Sequence, residues 1–318
     1  MIQLFPNPNY DFIGRRRWAY IVSAVFILIG LVSLIAKGGP RYDIDFAGGT
    51  LVQVRFEQAP RVAEIRRSLA AIGLETAIIQ EFGDPQEFIV RLPLGDRDST
   101  EVTRRIQQAL GADGTLGPFE VRRVEFVGPQ VGRDLQLQAI YAVLAAAVGM
   151  LLYIALRFDL KGGVAAIVAV AHDVLVSVGA LSLTDREFSL PVLAAILTII
   201  GYSVNDTIVA YDRLRENRAR LGRGRPFAEQ INTAINQTLS RTVLTAVTTF
   251  FATALLYTFG GKVLEDFAFA LVVGVVTGTY STIYIAGALI VDWTHYVEGR
   301  VRGTKKAVAK ASDARKIV

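Results

Sequence analysis

Cysteine is absent from the 318 residues, and histidine, methionine and tryptophan occur twice each. Without cysteine there are no disulfides, no thiolate metal sites and no cysteine nucleophile. The two histidines, His172 and His295, lie far apart and give Ser-His-Asp catalysis no supporting context. No P-loop, dinucleotide fingerprint or zinc-protease helix motif is present. The chain is therefore not expected to be an enzyme, and neither a metal nor an organic cofactor is expected. Apolar residues make up 52% before the 28 glycines are counted, against about 45–50% with glycine included in soluble proteins. Disordered chains are apolar-poor, so disorder is excluded, and a purely soluble domain does not fit.

What is present is a set of long apolar runs. A bilayer core about 30 Å thick needs roughly 20 mostly apolar helical residues. Six stretches qualify, at 18–36, 138–156, 162–183, 190–211, 240–259 and 267–291. The first is too long for the apolar part of a signal peptide, and no small-residue cleavage site follows it. Lysine and arginine set the orientation. Arg15, Arg16 and Arg17 precede the first run, and Arg157 and Lys161 lie between the second and third. Six arginines from Arg213 to Arg225 lie between the fourth and fifth, and a basic tail follows the sixth. All of these fall on one side if both termini are cytoplasmic. The net charge of +5 is thus explained by membrane orientation, and a nucleic-acid partner is not expected. The expected organisation is a cytoplasmic N-terminus and first span (1–37), an outer domain (38–134), spans two to six (135–292) with a basic cytoplasmic loop at 212–239, and a basic cytoplasmic tail (293–318).

The outer segment carries both signs of charge and reads as solvated. Residues 42–56 read as extended. Pro60 opens a helix with Val62, Ile65, Leu69 and Ile72 at helical spacing, and Gly73 ends it. Residues 75–81 and 88–92 read as strands joined by Gly83-Asp84-Pro85. Ser99 or Thr100 caps a second helix through Ile106 and Leu110, and 119–127 is a last strand. The order β-α-β-β-α-β is the ferredoxin-like pattern, which by itself assigns no function.

Ionisable residues inside apolar spans are costly and usually face a bundle interior or a water path. Asp173 lies in span three, beside His172 in Ala171-His172-Asp173. Asp206 lies in span four, in Gly201-Tyr202-Ser203-Val204-Asn205-Asp206-Thr207. A carboxyl in a low-dielectric medium can take up and release protons near neutral pH. Asp206 reads either as such a group or as a neutral, hydrogen-bonded structural carboxyl. Asp173 carries the same two readings, and His172 also reads as a packed polar side chain. Arg241 opens span five, with Thr245, Thr248, Thr249 and Ala252 following at helical spacing. Arginine is too basic to store a proton, so its role is electrostatic: it pairs with ionised Asp206 and is released when that group is protonated. The alternative is an interfacial anchor reaching the headgroups. Gly274-Val275-Val276-Thr277-Gly278 is a small-xxx-small motif that lets a helix approach closely, inside this bundle or from a partner. Gly48-Gly49 marks a close backbone approach or an ordinary bend.

The motifs taken together resemble one family. They are Asp45-Phe46-Ala47-Gly48-Gly49-Thr50, Val127-Gly128-Pro129-Gln130-Val131-Gly132, Ala171-His172-Asp173, the stretch from Gly201 to Val209, Tyr211-Asp212-Arg213-Leu214-Arg215-Glu216-Asn217, and Ser240-Arg241-Thr242 with Thr248-Thr249. On these the chain resembles the SecD/SecF family of protein-export membrane proteins, over nearly all of its length outside the basic tail. Ala47 stands where threonine is commoner in that family. The resemblance implies half of a resistance-nodulation-division-type bundle: six transmembrane helices with an extracytoplasmic α+β ferredoxin-like domain between helices one and two. It implies a multi-pass protein of a bacterial or archaeal plasma membrane, with SecD as a separate chain. Further implied partners are the SecYEG channel with its associated subunits, unfolded preprotein and membrane lipids. It implies that a proton gradient is the energy source and that Asp206 and Arg241 are needed for proton flow. Asp173 is taken as a third relay group, with Asn205, Ser203, His172, Thr245 and Thr248 in support. A carboxyl suits H⁺ or Na⁺, although a nearby arginine disfavours direct Na⁺ binding. Competing readings are a proton-driven small-molecule or lipid exporter of the same superfamily and a non-energised scaffold. Against the former, the outer segment is small for a drug-capturing domain.

Overall fold

A computed structural model describes residues 4–92, 99–221 and 224–297. The basic residues beyond 297, and Arg223, lie outside that set. Among the described residues, six helices are long and apolar enough to cross a membrane. They are α1 (Arg16–Ala36), α5 (Pro129–Arg157), α6 (Leu160–Leu183), α7 (Leu190–Leu221), α8 (Phe227–Phe259) and α9 (Lys262–Ser281). The last continues through a π-helical turn, Thr282–Ala286, and on to residue 297.

Between α1 and α5 lie α2 (Ile44–Ala47), β1 (Gly49–Phe56), α3 (Val62–Ala70), β2 (Ile78–Phe82), β3 (Asp84–Leu92), α4 (Ser99–Ala112) and β4 (Phe119–Val127). The sheet order is β2-β3-β1-β4, antiparallel throughout. This is the split arrangement that the β-α-β-β-α-β order requires. Val52, Val54, Phe56, Phe88 and Val90 alternate onto one face. There they bury against Ile65 and Leu69 of α3 and Ile106 and Leu110 of α4.

Three boundaries differ from expectation. Residues 42–56 are not continuously extended, because Asp43 accepts from Ile44 N at 2.7 Å and starts the single turn α2. The turn ends at Gly48 and Gly49, whose φ values of 72° and 135° suit only glycine, and β1 begins there. The hairpin between β2 and β3 needs only Gly83 (φ 78°), so Asp84 and Pro85 belong to β3. Finally, 212–239 is not a loop. α7 runs on to Leu221 and α8 starts at Phe227, because Arg213–Glu216, Arg220–Glu216 and Arg225–Glu229 pairs three or four apart stabilise exposed helix.

The sheet domain meets the bundle at three helix ends. β4 passes into α5 through Gly128 alone, with Pro129 in the first turn. The segment after α1 forms a parallel bridge, Tyr42 to Phe188, with the α6–α7 connection. Arg91 of β3 pairs with Glu187 and Asp43 there.

Candidate functional site

The inward face of α7 is set by helical spacing. Ser203, Asp206 and Thr207 are buried, whereas Asn205 is rotated outward and exposed. α6 brings His172 and Asp173 to the same interior, and α9 brings Ser281. Asp173 is 1% exposed. Its Oδ2 accepts from Ser203 Oγ at 2.6 Å and Ser281 Oγ at 2.7 Å, and its Oδ1 lies 2.9 Å from His172 Nδ1. A buried carboxyl can be held only by such partners.

The hydrogen bonds also fix where protons sit. Tyr280 Oη donates to Ala19 O at 2.8 Å, so it must accept from Ser23 Oγ at 3.2 Å. Ser23 has then spent its only proton and is an acceptor toward His172 Nε2, 3.0 Å away. Nε2 is then the donor of that pair, and the other ring nitrogen faces Asp173 Oδ1. This network ties α1, α6, α7 and α9 together at the centre of the bundle.

Asp206 is different. It is 2% exposed, and its Oδ2 has no hydrogen-bond partner among the described residues. One turn earlier, the Tyr202 hydroxyl is also buried without a hydrogen-bond partner among the described residues. The expected Asp206–Arg241 pair is not formed: no ion pair joins them within 4.0 Å among the described residues. Arg241 is exposed on α8 and lines a cavity of about 850 Å³ with Arg213, Gln237, Ser240 and residues of the N-terminal segment. An arginine at such a place can carry its charge away from apolar surroundings, as snorkelling cations do. Thr245 and Thr248 donate back to carbonyls of their own helix, so the threonine stripe is not bonded to Asp206.

The other singled-out residues lie elsewhere. Gly274 and Gly278 face α7, where an added Cβ would meet Ile199 and Ser203, so their close packing is internal to the bundle. Asp45 sits at the base of the sheet domain, and its Oδ2 accepts from Leu190 N at 3.2 Å, the first residue of α7. With Ser189 serving Val192 N and Leu193 N, and Pro191 lacking an N–H, the first turn of α7 is fully satisfied. Burial raises the Asp45 carboxyl above the usual range, with the Leu190 N–H acting against it. Gly48 comes close to Gly132 of α5, where a Cβ would lie 3.0 Å from Phe46 O and 3.2 Å from Gly48 N. Gln136 donates to Phe46 O at 2.7 Å, and Thr50 is buried in β1.

Sequence reasoning missed Ser23, Tyr280 and Ser281, which complete the Asp173 network, and the contact of Gly30 with Gly179. A Cβ on either glycine would lie 2.8 Å from the other's Cα. The signal was there as isolated small residues within apolar runs. It also missed the π-helical turn beside the network, where Thr282 Oγ1 lies 3.2 Å from Thr207 Oγ1; nothing in the composition of that stretch announces it. Among the described residues no group of three or more acidic or histidine side chains is placed to hold a metal.

A six-helix membrane bundle with buried carboxyls at its centre and a small antiparallel sheet domain after the first helix defines a class of polytopic membrane protein. Family comparison makes it specific. The family described as protein export membrane protein SecD/SecF, C-terminal, matches residues 110–296, and the SecD/SecF GG motif matches residues 34–60. A protein translocase subunit SecF from Desulfurispirillum indicum is 45% identical over 92% of this chain and 94% of its own length. A protein translocase subunit SecDF from Thermus thermophilus is 43% identical over 90% of this chain, which spans 39% of that longer protein. The crystal structure of SecDF from that organism, a translocon-associated membrane protein, superposes with a TM-score of 0.80 at 42% identity, covering 91% of this chain and 39% of the solved one. The chain belongs to the SecD/SecF family.

Proposed function

We propose that this protein is an accessory subunit of the Sec protein-export machinery that, with SecD, uses the proton-motive force to promote preprotein translocation and release. In this reading both termini and the helical extensions at 212–239 are cytoplasmic, and the sheet domain is outside. SecYEG and an unfolded preprotein are its working partners. The names of the relatives support the export role, and the fused SecDF relative supports the partnership with SecD.

The observation that carries the energy-coupling part is the Asp206 carboxyl, buried in the bundle with one oxygen lacking a donor among the described residues. An unpartnered carboxyl oxygen in low dielectric is costly as an anion and is open to a proton. Arg241, near but not bonded, is placed to move toward Asp206 when the proton leaves and back into its cavity when one returns. Asp173 enters as a partner on the same helix interface, held by two serines and His172. The two states differ in charge and in one side-chain position, which is what a bistable coupling element requires. The position of Asp45 on the first turn of α7 joins the helix that carries Asp206 to the sheet domain.

The test is preprotein export into inverted vesicles with an imposed proton gradient, wild type beside Asp206→Asn. The variant is expected to lose the gradient-dependent part of export while still folding and co-purifying with SecD. Export that follows the gradient as in wild type would remove the mechanism.

A further inference from the structure

Arginines of the α7–α8 extensions fall into two groups. Arg213, Arg220 and Arg225 each hold a carboxylate within 3.1 Å, and Arg157 at the end of α5 holds Asp212. Arg215 and Arg218 hold none among the described residues. Arg215 makes only a 3.3 Å contact to Arg157 O, and Arg218 lies over the Phe227 ring, 5.3 Å from its centroid, with its Nε buried and unpartnered. Both line one cavity of about 330 Å³, formed where the α5–α6 turn, α7 and the start of α8 meet. Tyr211 lines it too. That residue is only 6% exposed, yet its Oη has no hydrogen-bond partner among the described residues. Two guanidiniums without a carboxylate partner and a buried phenol hydroxyl converge on one hollow. The Arg218 Nε–H and the Tyr211 hydroxyl are buried donors without an acceptor among the described residues, and such groups are rarely left unsatisfied inside a protein.

The acceptor that fits is a phosphate oxygen, which matches the guanidinium fork in charge and geometry. Asp159 also lines the hollow, but its Oδ1 is engaged by Gly162 N at 2.6 Å as the cap of α6, and two guanidiniums outnumber it. The depth is that of lipid headgroups. Tyr211 stands about 20 residues into α7, roughly one hydrocarbon thickness from its start, and Arg215 lies one turn further. The wall is part apolar, with Phe158 and Phe227, and outside it Leu156 and Leu160 are exposed. Basic pockets between transmembrane helices at this level bind lipid head groups.

We propose that this hollow is a binding site for the phosphodiester of an anionic phospholipid, held by Arg215, Arg218 and the Tyr211 hydroxyl. The acyl chains lie against the outer faces of α5 and α6. The site is separate from Asp206 and does not depend on the export reading.

The test uses the delipidated full chain in a neutral detergent, with phosphatidylglycerol as the probe. Binding is read by native mass spectrometry and by lipid-induced thermal stabilisation. Arg218→Gln is expected to weaken binding about tenfold, the value of one charge-assisted hydrogen bond. Tyr211→Phe removes only an unpartnered hydroxyl. It should fold at least as well as wild type without lipid, yet lose most of the lipid-induced shift, so it decides the matter even if Arg218→Gln misfolds. Arg225→Gln, whose arginine is paired with Glu229 outside the hollow, should bind as wild type. Phosphatidylcholine binding as tightly as phosphatidylglycerol would overturn the proposal, as would wild-type affinity in both pocket variants. Displacement of the lipid by equimolar inorganic phosphate would also overturn it, since that marks a pocket for free anions.

Discussion

Asp45 shows how much one side chain decides. Its carboxyl takes the first N–H of α7 and adds a negative charge at the positive end of that helix. Replacement by alanine leaves the N–H without its acceptor, at a cost of about 1 kcal/mol for a lost cap. Because burial raises the Asp45 carboxyl, the docked state binds a proton more tightly than an undocked one. Docking therefore strengthens as pH falls through the carboxyl's range and weakens as pH rises. Asp45→Asn keeps an acceptor without the charge. It should dock as well as the protonated wild type at every pH, and so more tightly than wild type once Asp45 ionises, whereas Asp45→Ala should loosen the joint. The absence of native cysteine gives a direct reading: oxidation of a Tyr42→Cys, Phe188→Cys pair across the bridge reports docking, with high yield expected in Asp45→Asn and reduced yield in Asp45→Ala. The same scale separates the two buried aspartates. Asp173 accepts from two serines and faces His172, while Asp206 has an oxygen with no donor among the described residues.

Helix contacts set the next scale. α1 and α6 touch backbone to backbone at Gly30 and Gly179. Any side chain there must push the helices apart and stretch the 3.0 Å bond from Ser23 to His172. Gly179→Leu is expected to lower the thermal midpoint and to expose His172 to solvent, which histidine NMR or accessibility labelling would register; unchanged values would mean that α1 is not fixed there. The six apolar runs were legible because each must cross the bilayer unaided, and the β-α-β-β-α-β order was legible from alternating and helical periods. Helix ends were not. The extensions at 212–221 and 227–239 are too polar for hydropathy to find; charge pairs at helical spacing support the first, and the second packs Ile231, Ile235 and Leu239 into the bundle core. Asp206 and Asp173 were found because acids in oil stand out. The Asp206–Arg241 distance was not, since spacing along two chains says nothing of how far a long side chain bends away. Ser23 and Ser281 escaped because a serine in an apolar run looks like any small packing residue.

At the scale of the molecule, the sheet domain is a folded unit with its own core, distinct from the bundle core. Ile106→Ala, at a fully buried position in that core, should cost about 2–5 kcal/mol. Denaturation followed by near-ultraviolet signals of the domain is expected to shift while the helical signal of the bundle does not. Because β4 enters α5 through a single glycine, and the bridge and the Asp45 cap fix the other two attachments, the domain has little freedom to swing on its own. Three footings define a plane. If α7 slides along its axis by one residue, about 1.5 Å, relative to α1 and α5, the platform resting on all three cannot stay level. A sub-nanometre shift beside Asp206 is thereby converted into a tilt of everything the sheet carries, with no joint needed beyond the helices themselves.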